Sequence, residues 1–192
     1  KEASKLNVPR IGVRFRLPAS MNQVEYFGRG PAENYLDRNA GSMIGLYKST
    51  AEELYFPYVR PQENGHHTDT RWVSLSTGKK GLLIQADNTI GFNALRNSIE
   101  DFDDEEATGL SRQWSNFTPE QVANHDEAAA KNVLRRQHHI NDITPCDFVE
   151  VCVDLKQQGV AGYDSWGSRP EPAYTLPANR EYNWGFTLIP LK

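Results

Sequence analysis

FVEVCVDL, Phe148 to Leu155, alternates residue by residue: Phe148, Glu150, Cys152 and Asp154 lie on one face, Val149, Val151, Val153 and Leu155 on the other. A period of two with β-branched residues along one side is the pattern of a strand. The strand runs into Gly159-Val160-Ala161-Gly162-Tyr163-Asp164-Ser165-Trp166-Gly167, with Pro170 and Pro172 just beyond. Three glycines and two prolines mark a loop held in a particular shape. An indole at the tip of a Gly-rich polar loop is unusual, because so large an apolar group normally seeks the core. Two roles compete for Trp166. It folds back to cap a sheet, or it is an exposed aromatic platform. A platform suits the apolar face of a sugar ring, with Asp164 and Ser165 hydrogen-bonding hydroxyls.

Working outward, more short strands appear. Ile11, Val13, Phe15 and Leu17 point one way and Arg14 and Arg16 the other, which predicts a half-exposed antiparallel strand. Val24 to Phe27 is a second strand, ended by Gly28-Arg29-Gly30-Pro31. Met43 to Tyr47 is a weak strand. Leu54 to Val59 contains Pro57 and reads as an edge strand or extended loop. Arg71 to Leu75 and Gly81 to Ala86 flank the turn Thr77 to Lys80, a hairpin. Tyr182 to Leu191 closes the chain. Thr118-Pro119 opens a helical pattern that continues to Arg136, with Thr118 as N-cap and Pro119 at the first position. Many short strands with one helical insertion predict an all-β fold, a large antiparallel two-sheet sandwich. No linker or repeat divides it, so residues 1–192 read as one domain.

Composition narrows the function. Of 192 residues, 38% are hydrophobic, enough for a core, and the net charge of -4 with no basic patch argues against nucleic acid. No apolar run approaches the ~20 residues of a membrane helix. The opening Lys1-Glu2-Ala3-Ser4-Lys5 has no apolar core of a leader and reads as the interior of something longer, which leaves the compartment open between cytoplasm and periplasm. Cys146 and Cys152 stand six apart on one strand face, too far along it for a disulfide, and read as free buried thiols. Six acids in Glu100 to Glu106 read as a solvated segment.

Two polar knots stand out, Gly30 to Arg38 (GPAENYLDR) and Pro61 to Arg71 (PQENGHHTDTR). In the first, Glu33 and Asn34 precede Asp37 and Arg38. In the second, Glu63 and Asn64 precede Asp69 and Arg71. Buried Arg–carboxylate pairs would let such knots pin long loops, since the guanidinium is planar and bidentate. Adjacent histidines, His66-His67 and His138-His139, point opposite ways on extended backbone, so one metal seldom takes both. One of them with Glu63 would make an acid–base pair. A glycosidase needs two carboxylates flanking the scissile bond. None here is framed as an acid and nucleophile, so no catalytic residue is assigned.

Four stretches in order resemble one family. They are PRIG (Pro9 to Gly12), VEYFGRGPAENYLDR (Val24 to Arg38), YFPYVRPQENGHHTDTR (Tyr55 to Arg71) and LKQQGVAGYDSWG (Leu155 to Gly167) with Arg169-Pro170. Together they are similar to the C-terminal domain, or separate small chain, of the large bacterial β-galactosidases of glycoside hydrolase family 2. The resemblance implies a galactose-mutarotase-like super-sandwich and a partner, the rest of the enzyme, whose (β/α)8 barrel carries two catalytic glutamates. It implies a galactoside substrate such as lactose. It implies no cofactor in this chain, with Mg and Na ions used by the parent. It also implies that Trp166 forms an aromatic wall of the active site. Tyr163 departs from the family, which often has an acid there. The stretch from about Asp101 to Arg136 is longer than usual. Two other readings stand beside this one: a free-standing carbohydrate-binding module, and a mutarotase-like epimerase using a His and a Glu.

Overall fold

The computed structural model describes residues 6–59, 62–102, 140, 143–164 and 166–192. Their strands, in chain order, are β1 (Arg10–Pro18), β2 (Gln23–Gly30), β3 (Met43–Thr50), β4 (His67–Ser76), β5 (Gly81–Leu95), β6 (Phe148–Gln157) and β7 (Phe186–Leu191). The architecture is all-β, as expected, and consistent with a β-sandwich. Hydrogen bonds join the strands in the order β1-β6-β5-β4-β2-β3, with β7 added on β5. Every pairing is antiparallel. β5 makes the branching possible. Its 15 residues are long enough to carry two partners end to end on one edge. β7 lies along Gly81 to Ala86, and β6 along Gly91 to Leu95.

Tertiary contacts divide the chain into two compact units. The first, Lys1–Phe56 with Asn64–Arg96 and Cys146–Lys192, holds the sheet. The second is Pro57–Glu63 with Asn97–Pro145. Its described part includes a 3-10 turn, Ile99–Asp101, which begins where Asp101 accepts the backbone N–H of Ser98 at 2.7 Å. The expected helix from Thr118 to Arg136 and the pair His138-His139 lie outside the described residues.

Several strands outrun their sequence-based bounds. β2 continues through Gly28 and Gly30, because glycine permits the extended backbone as readily as a turn, and the break falls at Pro31, which lacks an N–H. β4 begins at His67, inside the stretch expected to be polar loop, and β5 runs to Leu95 rather than Ala86. β2 shows the clean half-buried alternation, with Val24, Tyr26, Gly28 and Gly30 inward. Around them Val73, Leu75, Ile84, Phe92, Val149, Val151 and Val153 are buried and form the core.

β6 departs from a half-exposed strand: Val149 through Asp154 are all buried, the acids included. The reason is its neighbour. Arg14 stands opposite Cys152 and Arg16 opposite Glu150, so β1 places arginines on the same face as the acids of β6. Arg16 reaches Glu150 at 3.1 Å and Arg14 reaches it at 3.5 Å. An irregularity between Ile11 and Gly12 leaves Leu155 as the extra residue on β6. It lets Arg10 turn onto Asp154, to which Nη2 donates at 2.7 Å and Nε at 3.2 Å. Only glycine fits at position 12, since a Cβ there would lie 2.0 Å from the Asp154 carboxylate. Neither cysteine is in a disulfide; Cys152 is buried and Cys146 half-buried.

A buried ion pair is costly to break, because the surviving charge stays in a low dielectric. Arg10→Ala should therefore destabilise the chain by about 3–5 kcal/mol. Arg14→Ala, at a side chain that is 42% exposed, should cost less than about 1 kcal/mol. Urea unfolding of the two variants checks this; equal midpoints would contradict it.

Candidate functional site

The two polar knots of the sequence meet in space. Asn34 is the joint. Its backbone N–H donates to the His66 carbonyl at 2.7 Å. Its side-chain oxygen accepts from the Thr68 N–H at 2.9 Å and the Thr68 hydroxyl at 2.6 Å, while its amide donates to the carbonyls of Arg29 and Ala32. Glu33 accepts from the Gly65 N–H at 2.7 Å and from the Tyr35 hydroxyl at 3.3 Å. Asn64 accepts from the Phe56 N–H at 3.1 Å. These contacts give hydrogen-bond partners to backbone groups of the turns.

The arginines play a smaller part than the sequence suggested. Arg38 is 49% exposed, 4.0 Å from Glu33 and 5.2 Å above the Tyr35 ring. Tyr35 takes the buried position of that turn, so the longer charged side chain stays outside. Asp69 pairs with Arg29 at 2.5 Å, while half-buried Arg71 donates to the Asp69 carbonyl. Asp69 sits at φ 52, in the irregular stretch of β4, a conformation that Asp tolerates better than most residues. Glu63 belongs to the second unit.

Behind the knots lies a buried polar cluster that the sequence reading missed. Arg10 donates to Asn93 at 2.8 Å as well as to Asp154. Asn93 donates to the Asn64 carbonyl at 2.7 Å and lies 2.8 Å from His66 Nδ1. The signal available was Asp154, an acid closing an apolar strand; its partner lies 144 residues away. His66 stacks on Tyr35, and His67 stacks on Phe92 with both ring nitrogens facing carbonyls, of Gly65 and Pro31. Each histidine is only 1% exposed. Burial pushes the imidazole of His66 down to about 3, with the neighbouring Arg10 charge acting the same way, and burial lowers His67 too. Asp154, 3.9 Å from His66, is already committed to Arg10. Rings enclosed in this way cannot meet a sugar arriving from solvent. Among the described residues no three His, Cys, Asp or Glu side chains converge as a metal centre requires.

The loop after β6 is the exposed feature. Gly159 donates to the Tyr174 carbonyl at 2.8 Å. The next two N–H groups, of Val160 and Ala161, donate to the two oxygens of Asp37 at 3.1 and 2.8 Å. The Tyr163 hydroxyl reaches Asp37 at 3.4 Å. Only glycine admits this approach, since a Cβ at position 159 would lie 2.5 Å from the carboxylate. Ala161, Gly162 and Gly167 all adopt positive φ. Asp164 accepts from the Trp166 N–H at 2.8 Å, an Asx turn, and Tyr163 donates its N–H to Ser168. At the tip Trp166 is 92% exposed, beside Tyr163 and Val160, which are also exposed. Ser165 lies outside the described residues. A flat, rigid apolar surface on a polar loop can stack on a ring but can do no acid–base chemistry alone.

The family model described as Beta galactosidase small chain matches residues 1–188. Among curated proteins, a β-galactosidase of Priestia megaterium is 35% identical over 185 residues, which cover 96% of this chain and 15% of that protein. A β-galactosidase of Vibrio cholerae is 29% identical over 94% of this chain and 14% of its own length. One from an Arthrobacter strain is 41% identical over 48% of this chain and 10% of its own length. The chain thus spans a small fraction of the relatives it matches.

The buried histidines carry a pH dependence. Folded, His66 is held well below its ordinary value by burial; unfolded, it takes up a proton below about pH 6.5. The unfolded state then binds more protons, so stability falls as pH drops from about 6.5, and for His66 the loss continues toward pH 3. His66 contributes up to about 1.4 kcal/mol per pH unit in this window, and His67 acts in the same direction. Urea midpoints at pH 7 and pH 5 should therefore differ, and His66→Gln should flatten the slope. A midpoint unchanged between the two pH values would contradict the neutral, buried assignment.

Proposed function

This chain belongs to the β-galactosidase small-chain family, and on that premise we propose that it is the C-terminal domain of an enzyme hydrolysing terminal β-D-galactosides such as lactose. In this reading the two catalytic glutamates lie in a (β/α)8 barrel elsewhere in the enzyme. Any Mg or Na ions belong to the enzyme as a whole. This domain lends Trp166 as an aromatic wall for the sugar, with Asp164 shaping the turn that presents it and Ser165 beside it. The single observation that carries the reading is the 92% exposure of an indole at the tip of an internally hydrogen-bonded loop. So large an apolar face left in water gains most when something covers it. A pyranose face with its axial hydrogens is a suitable cover.

A free-standing carbohydrate-binding module is the second reading. Its specific support is a cleft of about 280 Å³ lined by Leu36, Leu155, Lys156, Arg180, Tyr182 and Asn183 among others. Pockets of about that size suit small ligands. A module would bind galactose by itself, whereas one wall of a shared site would bind it weakly at most.

Assayed alone with a chromogenic β-galactoside at high protein concentration, this chain should show no turnover. Turnover abolished by mutating a carboxylate of this chain would defeat the proposal. Trp166→Ala should leave the stability of the chain within about 0.5 kcal/mol, because an exposed side chain loses little packing. In the full-length enzyme the same change should weaken substrate binding by about 1–3 kcal/mol, the worth of one large apolar contact. A large stability loss with unchanged KM would show a packing role instead.

A further inference from the structure

We infer that Asp37 is the positioning residue for Trp166: its carboxylate fixes the backbone from which the loop carries the indole. The inference rests on the reading that Trp166 meets the sugar, and it adds a residue that no motif around the tryptophan contains. A carboxylate that accepts two successive backbone N–H groups makes charge-assisted bonds stronger than neutral ones. Here they fall on Val160 and Ala161, 123 and 124 residues away in the chain. Ala161 is held at φ 54, which an L-residue with a Cβ avoids, so its N–H bond to Asp37 maintains a conformation the chain would otherwise leave. Gly162 is the pivot that follows, at φ 82, where an added Cβ would meet nothing within 4 Å. Past that pivot the restraint continues, because the Tyr163 hydroxyl returns to the same carboxylate and the Tyr163 N–H is tied to Ser168. Trp166 sits inside the turn so closed.

Asp37 is itself anchored. Tyr35 and Arg38 exchange backbone hydrogen bonds around it, at 3.5 and 2.9 Å, and the Tyr35 ring is buried against His66. The direction of the indole is therefore set by core packing through one carboxylate. Tyr163 supplies the third bond to that carboxylate, which an acidic side chain at position 163 could not do without placing two negative charges together.

The test uses the full-length β-galactosidase that carries this chain. Asp37→Ala should raise KM by about tenfold with a smaller change in kcat, since a misplaced contact costs binding before chemistry. Asp37→Asn, which retains one acceptor oxygen and the same shape, should recover part of the loss; it also serves if the alanine variant fails to fold. Combined with Trp166→Ala, the Asp37 change should add nothing, because both act through one indole. Amide hydrogen exchange supplies a readout independent of sugar binding: Val160 and Ala161 should exchange faster in both Asp37 variants, while strand amides keep their protection. Unchanged exchange at these two amides, or a KM loss fully additive with that of Trp166→Ala, would overturn the positioning role. Should Trp166→Ala by itself leave KM unchanged, the aromatic-wall reading fails, and the exchange result still decides whether Asp37 holds the loop.

Discussion

Arg10 and Asp154 form the contact on which the sheet depends. An acid within an apolar strand normally marks the solvent side, yet β6 is buried on both faces along six consecutive residues. That arrangement is tolerable because each buried acid meets a guanidinium from the neighbouring strand: Arg10 on Asp154, and Arg14 and Arg16 on Glu150. Such a pair is weak evidence of net stability, because desolvation offsets much of the attraction. Its effect is on register. A slip of β1 by one residue would turn its arginines to the apolar face and leave both acids buried without them.

From that pair a chain of polar contacts runs through the middle of the first unit. Arg10 also holds Asn93, Asn93 holds the carbonyl of Asn64, and His66 completes the group. Asn34 takes over from there, joining the loop after β2 to the start of β4. The same loop ends in Asp37, which grips the segment after β6. Four segments distant in sequence are thus tied by asparagine and carboxylate side chains that mimic backbone partners, in places where the strands offer none. Low local dielectric strengthens such bonds and penalises any partner left unmet.

These contacts also divide the molecule by role. The histidines, which a catalytic reading would seize on first, are enclosed and held by stacking and by hydrogen bonds. The tryptophan, which a packing argument would place in the core, is outside. Rigidity within and exposure at the tip are complementary, since an aromatic surface binds best when its direction is already set.

Much of the fold could be read from the residues. Period-two alternation marked β1 and β6, because side chains of a strand point to opposite sides whatever its neighbours are. The turn at Thr77 to Lys80 and the stiff loop before Pro170 followed from local backbone preferences, and the quoted motifs carried the family. Strand lengths were less legible. β5 extends to Leu95 and β4 begins at His67 because partner strands supply hydrogen bonds where local propensity is neutral. The polar knots were legible as places of importance, while their mechanism was not. Arg–carboxylate pairs looked like the pins; of the residues in the two knots, Glu33, Asn34, Asn64 and Asp37 make the joining bonds rather than Arg38 and Arg71. What the sequence by itself determined is what short-range sterics and periodicity dictate: strands, turns and an odd indole on a glycine loop. Only the tertiary structure decided that Asp154 faces Arg10 and that Asp37 holds Ala161, because such pairings arise from chain closure over more than a hundred residues, which no local pattern encodes.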